Sequence, residues 1–253
     1  MLPRTPSYRL DGKRAVVIGG SRGIGLGCAV ALAEQGASVV IVARSKGQVF
    51  ETVNEMKSEG FSVSGAPMDV RIIDNVKNLM GEYSDIDILV NSAGIARHTP
   101  TVDTSELDFD DVMSVNVRSA YFLAQSAAKQ MISKGTGGSI IQISSQMAHV
   151  GGIERAVYCG TKHAIEGINK SMAIEFGPHK IRVNSICPTF IRTPFTEPTF
   201  KDPEKVKWIE SKIKVGRVGE VEDIMGAVKF LASDVSALVT GSSILIDGGW
   251  TAG

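Results

Sequence analysis

The sequence predicts a doubly wound α/β fold, seven parallel strands in one sheet with helices on both faces. Two observations carry that prediction. Short β-branched runs alternate with longer helix-like stretches along most of the chain, the pattern that builds right-handed βαβ units. The first such run, Ala15-Val16-Val17-Ile18, passes directly into a glycine-rich turn, Gly19 to Gly25, and then into a helical stretch, as in a Rossmann-type fold. The length of 253 residues and 43% hydrophobic content suit a single domain over 1–253 with a substantial core.

In chain order, the β-branched Arg14 to Ile18 forms the first strand, and Ile24 to Gln35, rich in alanine and leucine, the first helix. Ser38 to Ala43 is a second valine- and isoleucine-rich strand, followed by a helix over Gly47 to Glu59. Ser62 to Ala66 and the helix Ile72 to Tyr83 complete the first half. The second half alternates strand Ile86 to Asn91, a long helix Phe109 to Ser133, strand Ser139 to Ile143 and helix Val157 to Glu175. It ends with strand Arg182 to Cys187, helix Val221 to Ala232 and strand Ser243 to Asp247. No tandem repeat, low-complexity tract or interdomain linker interrupts this order.

One stretch breaks the alternation. Thr193 to Val215 holds three prolines, two phenylalanines, Trp208 and five lysines, and is too long for an ordinary αβ connection. Such an insertion reads as a lid over a site, with a surface excursion packed on a neighbouring subunit as the alternative. Trp208 and Trp250 would wall a substrate pocket or serve a subunit interface.

Charge and cysteine usage narrow the function. Lys+Arg and Asp+Glu are both 27, so no global basic field favours nucleic acid. Met1 to Lys13 has no apolar core and reads as neither signal peptide nor anchor, and no segment reaches membrane-spanning length. Cys28, Cys159 and Cys187 are odd in number and scattered, which points to reduced thiols and a cytoplasmic protein.

The glycine turn follows the spacing GxxxGxG. Without Cβ atoms its backbone can approach a pyrophosphate closely, while the following helix offers unpaired N–H groups and a favourable dipole. At the end of the second strand, where an NAD site places an acid on the ribose 2′-hydroxyl, the chain has Ala43-Arg44-Ser45. Arg44 with Arg22 could instead grip a 2′-phosphate, so NADP is preferred and NAD remains possible.

Downstream, Tyr158 and Lys162 stand at i and i+4 on one helix face, where a phenol and an ammonium can reach one small volume. A cation there would favour the phenolate and bring the tyrosine, normally titrating near 10, towards the pH at which acid–base catalysis operates. Ser145 ends an apolar run of strand character, the place at which open α/β sheets hold ligands. Cys159 and His163 share the same i, i+4 spacing but have no third ligand nearby, so no metal is expected.

In this combination the chain resembles the short-chain dehydrogenase/reductase family, from the first strand to Ile246-Asp247-Gly248-Gly249. The matching elements are Gly19, Gly23 and Gly25, Asp69-Val70, Asn91-Ser92-Ala93-Gly94, Asn116, Ser145, Tyr158, Lys162, and Pro188 with Thr193. The resemblance implies that Ser21, Arg22, Ile24, Arg44 and Ser45 lie with those glycines around the cofactor. It implies that Asp69 and Val70 contact adenine, that Asn91, Ala93 and Gly94 pass the cofactor's middle, and that Pro188, Ile191 and Thr193 hold the nicotinamide carboxamide. Tyr158 would be the general acid or base, Ser145 would bind the substrate oxygen, Lys162 would hold the ribose and lower the tyrosine pKa, and Asn116 would support a water leading to Lys162. Ile18, Ser92 and Thr189 depart from the family's usual threonine, asparagine and glycine.

The implied reaction is hydride transfer between nicotinamide and a carbonyl carbon. The expected pocket wall is Ile95 to His98, Gln146 to Ile153, Arg155, Phe190 and the lid. A small polar ketone, sugar or polyol is the first substrate reading, and a β-ketoacyl thioester, with the lid lysines facing an acidic carrier, the alternative. A non-catalytic dinucleotide sensor is a third. The family resemblance implies that the two long helices pair across a two-fold axis and that the last strand forms a second interface, giving a homotetramer.

Overall fold

The structure, a computed structural model, describes residues 2–253; Met1, at the head of the segment read above as neither signal nor anchor, lies outside them. One seven-stranded, wholly parallel sheet runs in the order β3-β2-β1-β4-β5-β6-β7. Its strands are β1 (Arg14–Ile18), β2 (Ser38–Ala43), β3 (Val63–Pro67), β4 (Ile88–Asn91), β5 (Gly138–Ile143), β6 (Ile181–Pro188) and β7 (Ser243–Ile246). No helix is long and apolar enough to cross a membrane among the described residues.

Alternation along each strand splits the core into two layers, because successive side chains point to opposite faces. Ala15 and Val17 face α1 (Gly23–Glu34), α2 (Lys46–Ser58) and α9 (Glu222–Ala232), through Leu32, Val53 and Val228. Val16 and Ile18 face α3 (Ile73–Glu82), α5 (Ala120–Lys134) and α6 (Ala156–Phe176), through Met80, Leu123 and Met172.

The order of strands reverses direction between β1 and β4, where Ile18 lies opposite Asn91 in the ladder. Neighbouring carboxyl ends feed loops that leave in opposite directions there, opening a crevice. Close packing lets the glycine turn lie across it. A Cβ on Gly25 would come within 2.1 Å of the Gly19 carbonyl oxygen, and one on Gly19, whose φ is +75°, within 3.0 Å of the Ala93 nitrogen.

Two regions differ from the sequence expectation. The helix expected over Phe109 to Ser133 starts earlier, at α4 (Glu106–Met113) capped by Ser105, and is broken by a π-helical turn over Ser114–Ser119 before α5. The wider turn carries Asn116, whose carboxamide is tied to both the N–H and the carbonyl of Ile95 at 2.9 Å, a local demand that apolar periodicity does not register. The stretch after β6 contains two short helices, α7 (Glu197–Phe200) and α8 (Pro203–Lys212), the latter capped by Asp202.

Gly25→Ala should destabilise the protein by about 3 kcal/mol, since strand-to-helix backbone must move to admit the methyl group. Gly47→Ala in α2, where a Cβ meets nothing within 4 Å, should be neutral or stabilising by up to about 1 kcal/mol. Urea unfolding of the two variants measures the contrast, and equal midpoints would contradict it.

Candidate active site

A cavity of about 670 Å³ extends along the carboxyl edge of the sheet. Of the residues singled out in the sequence, Gly19, Ser21, Arg22, Gly23, Ile24, Arg44, Ser45, Asp69, Val70, Ala93, Gly94, Ser145, Tyr158, Lys162, Pro188, Ile191 and Thr193 all line it. Gly25, Asn91 and Asn116 stand behind the wall. Gly25 packs on the turn, Asn91 donates to Gln142 Oε1 at 2.8 Å, and Asn116 donates to Thr161 Oγ1 at 3.2 Å. Asn91 and Asn116 thus hold the loop after β4 in place from beneath.

The glycine turn delivers Arg22 to the N-cap of α1, where no side chain caps the first N–H groups. Arg22 and Arg44 are exposed and, among the described residues, neither side chain has a hydrogen-bond or ion-pair partner. Ser45 caps α2, accepting from Gln48 N at 3.4 Å. Asp69 is held by Arg71, whose hydrogen bonds keep its carboxyl below the usual range. At the other end, Thr189 Oγ1 is buried without a partner. An uncapped helix N-terminus, two unpaired arginines and an orphaned hydroxyl fit a phosphate-bearing dinucleotide.

The catalytic candidates converge from two elements. Ser145 follows β5, accepts from Met147 N at 3.1 Å and donates to Gln146 Oε1 at 2.8 Å. Tyr158 and Lys162 occupy the first two turns of α6, with the Lys162 Nζ 5.6 Å from the Tyr158 ring centre and donating to the Ile143 carbonyl at 2.9 Å. The electrostatics correct one expectation. In the protein alone, burial pushes the Tyr158 phenol above its ordinary value, and the Ser145 hydroxyl and the Arg155 charge only partly oppose it. Lys162 is itself desolvated, which lowers it to about 8, so its charge is weakened at the point where it was expected to act on the phenol.

Sequence reasoning passed over Glu166, one turn beyond Lys162 and 8% exposed. Burial alone would raise its carboxyl, but hydrogen bonds from Ser243, Ser185 and the Cys187 thiol outweigh that and hold it low. Its charge helps keep Lys162 protonated. Ligand atoms of His149, Glu166 and Cys187 lie within 4.8 Å of one another, and burial pushes the Cys187 thiol up to about 12. The only cue in the sequence was an acid at i+4 from a lysine already singled out. Cys159 and His163 do not form a ligand pair; the His163 ring is bonded to the Cys159 carbonyl at 2.9 Å.

The substrate end is narrower than expected. Ile95, Ala96, His98, Gln146, Met147, Arg155 and Phe190 line the cavity, but Arg97 is drawn away to Asp111 and Asp108, and residues 148–153 do not reach it. Of the proposed lid only Thr193, Pro194, Phe195, Thr196 and Thr199 line the cavity. Trp208 and Trp250 wall nothing; they meet edge to face at 5.5 Å, and Trp250 packs on Phe190 at 5.7 Å, pinning α8 to the carboxyl-terminal segment.

Comparison with known proteins identifies the family. A family model described as "Enoyl-(Acyl carrier protein) reductase" matches residues 18–251. The chain is 38% identical over 250 residues to 2-dehydro-3-deoxy-D-gluconate 5-dehydrogenase of Escherichia coli (strain K12), covering 97% of this chain and 98% of that one. It is 36% identical to L-xylulose reductase of Bos taurus, covering 96% and 98%. A gluconate 5-dehydrogenase from Burkholderia cenocepacia J2315, solved in complex with NADP and tartrate, superposes with a TM-score of 0.94 at 34% identity, covering 97% and 98%. The chain belongs to the short-chain dehydrogenase/reductase family. It is an NAD(P)-dependent oxidoreductase acting on CH–OH or carbonyl groups.

Burying Lys162 has a measurable cost. Its folded value of about 8 lies below its ordinary 10.5, so between those pH values the unfolded chain holds more protons and stability rises with pH. At pH 7, Lys162→Met should therefore stabilise the cofactor-free protein by about 1–3 kcal/mol, a gain that shrinks towards pH 10. Denaturant unfolding at the two pH values checks this; a less stable variant at pH 7 would contradict it.

Proposed function

We propose that the protein interconverts the carbonyl and secondary alcohol of a small sugar, sugar acid or polyol, using NADP(H). The observation that carries this reading is the convergence of Ser145, Tyr158 and Lys162 on a cavity continuous with the glycine turn. The substrate class is supported by relatives named for gluconate and xylulose chemistry, the cofactor by a relative solved with NADP.

In the direction of reduction, the Ser145 hydroxyl donates a hydrogen bond to the substrate carbonyl oxygen and fixes its position. Tyr158 transfers its phenolic proton to that oxygen as negative charge develops there. The raised phenol suits this role, since Tyr158 stays protonated across the neutral range. Bound NADPH supplies the hydride to the carbonyl carbon, so that the products are the alcohol and NADP⁺. Lys162 holds the nicotinamide ribose and stabilises the tyrosinate left behind; Asn116, fixed by the π-helical turn, supports a water reaching Lys162.

The N–H groups at Gly23, Ile24 and Gly25, with Gly19 and Ser21, cradle the pyrophosphate. Arg22 and Arg44, with Ser45 beside them, take the 2′-phosphate, and the absence of an acid at Ala43 removes the repulsion it would meet. Asp69 and Val70 flank adenine, Asn91, Ala93 and Gly94 the middle of the cofactor, and Pro188, Ile191 and Thr193 its carboxamide. The segment 193–215 within the single domain closes over the site through its first part, Thr193 to Thr199, on the base that α8 provides. A second reading, a β-ketoacyl thioester, shares the acyl carrier with the family model's description, though an enoyl group presents a carbon–carbon double bond rather than a carbonyl. It is weakened by Lys201 and Lys205, which are turned onto Glu197 and Asp202 of their own segment.

We further infer a homotetramer in the cytoplasm. Phe109, Tyr121, Ile132 and Ile174 leave apolar surface on α4, α5 and α6, and β7 is an edge strand with Leu245 exposed.

Tyr158→Phe tests the reading. NADPH consumption with a panel of ketoses and keto sugar acids should fall at least about 10²-fold in kcat, while NADPH binding changes little. Near-normal turnover by the variant on a good substrate would overturn the assignment.

A further inference from the structure

Arg155 precedes α6 at its N-cap, three residues before Tyr158, and its half-buried side chain opens on the same cavity. Burial disfavours its charge. Arg71, Arg97 and Arg217 are more exposed, and each is paired with an aspartate. Arg155 has no acid within ion-pair distance among the described residues. Its guanidinium meets His98 instead, at 2.9 Å from Nε2, and lies 5.5 Å from the centre of the Phe190 ring.

The surroundings hold this arrangement. A Cβ on Gly152 would come within 2.9 Å of Arg155 Cδ and 3.0 Å of Met147 Sδ, so glycine leaves the room the arginine stem occupies. The backbone before it is forced as well. Glu154 has a φ of +59°, in the left-handed region that disfavours a residue with a Cβ. His98 stands at the exposed mouth of the cavity; desolvation and the neighbouring guanidinium keep its ring below its ordinary pKa, hence neutral and able to donate one N–H.

A partly desolvated guanidinium facing a cavity without a carboxylate of its own is completed by an anionic ligand, and its planar fork matches a carboxylate. We propose that Arg155, with His98 beside it, anchors the carboxylate of the substrate and so selects sugar acids over neutral ketoses and polyols. The proposal rests on the carbonyl–alcohol reading given above. The His98 and Tyr158 ring centres are 6.5 Å apart, so the anchor and the proton donor face one and the same bound molecule. Neutral sugars leave the cation unpaired.

Two matched probes test it. The full-length protein saturated with NADPH, which cannot oxidise either probe, is titrated calorimetrically with D-gluconate and with its uncharged counterpart D-glucitol, as wild type and as Arg155→Gln. Wild type should bind gluconate at least about 10-fold more tightly, and Arg155→Gln should erase that preference by weakening gluconate alone, with NADPH affinity unchanged. Equal binding of the two probes by wild type, or a preference that survives in Arg155→Gln, would overturn the proposal. Turnover supplies the second readout: in Arg155→Gln, kcat/KM for a keto sugar acid should fall at least about 10-fold further than that for the neutral L-xylulose, because the loss of the Arg155 charge beside Tyr158 bears on both alike while only the acid also loses its partner. An equal loss on charged and neutral substrates would place Arg155 in the service of Tyr158 and also overturn it. If wild type turns over no ketose or keto acid, the carbonyl–alcohol reading fails, and the binding comparison alone decides the anchor.

Discussion

The chemistry of this protein depends on an ammonium kept out of water. Lys162 is 6% exposed, has one carbonyl as its hydrogen-bond partner, and titrates near 8 instead of 10.5. Such a group is unstable in isolation, and the surrounding structure exists in part to hold it. Glu166, kept ionised by two serines and a thiol, supplies opposite charge from below, and the Asn116 carboxamide stands close by. A cation with few partners in the floor of a cavity has the most to gain from ligand hydroxyls and phosphates arriving there. Tyr158, one turn away, is likewise held neutral by burial. Ligand binding is thus coupled to the protonation state of the floor.

The sheet brings these groups together from distant parts of the chain. Opposed loop directions at the β1–β4 boundary open the crevice, and glycines at positions 19 and 25 allow the turn to lie against strand and helix without intervening side chains. On the far side, β5 ends in Ser145 just where α6 begins its approach, so that serine, tyrosine and lysine meet although thirteen and four residues separate them. The aromatic contacts of Trp208 and Trp250 give α8 a fixed base, leaving the preceding Thr193 to Thr199 as the part of the insertion that faces the cavity.

Most of the fold was legible because the central strands hold apolar runs buried on both faces, such as Val16 to Ile18, Val39 to Val42 and Ile88 to Val90, and because helices such as α3 and α9 carry an apolar stripe; boundaries moved by only one to three residues at most ends. The long second-half helix was misread because a π-helical turn leaves apolar spacing almost unchanged, while its cause, the Asn116–Ile95 bonds, is tertiary. The glycine turn, Arg44 and the Ser145–Tyr158–Lys162 spacing were legible from the residues themselves, whereas Asp69, Val70, Ala93, Gly94, Pro188, Ile191 and Thr193 came only with the family resemblance. The sense of the tyrosine shift was not legible, because spacing reveals proximity and says nothing of desolvation. Nor was Glu166, whose two serine partners, Ser185 and Ser243, lie on β6 and β7 and converge on it only once the sheet is built.

The most direct test of this account is the proton balance of NADPH binding. At pH 8 about half of the Lys162 side chains are charged, and an anionic ligand seated beside them raises their pKa. Calorimetry in buffers of different ionisation enthalpy should therefore show uptake of up to about half a proton per site at pH 8, close to none from this group at pH 6.5, and none at pH 8 in Lys162→Met. Proton release on binding at pH 8, or uptake that persists in Lys162→Met, would contradict the central place given to the buried ammonium.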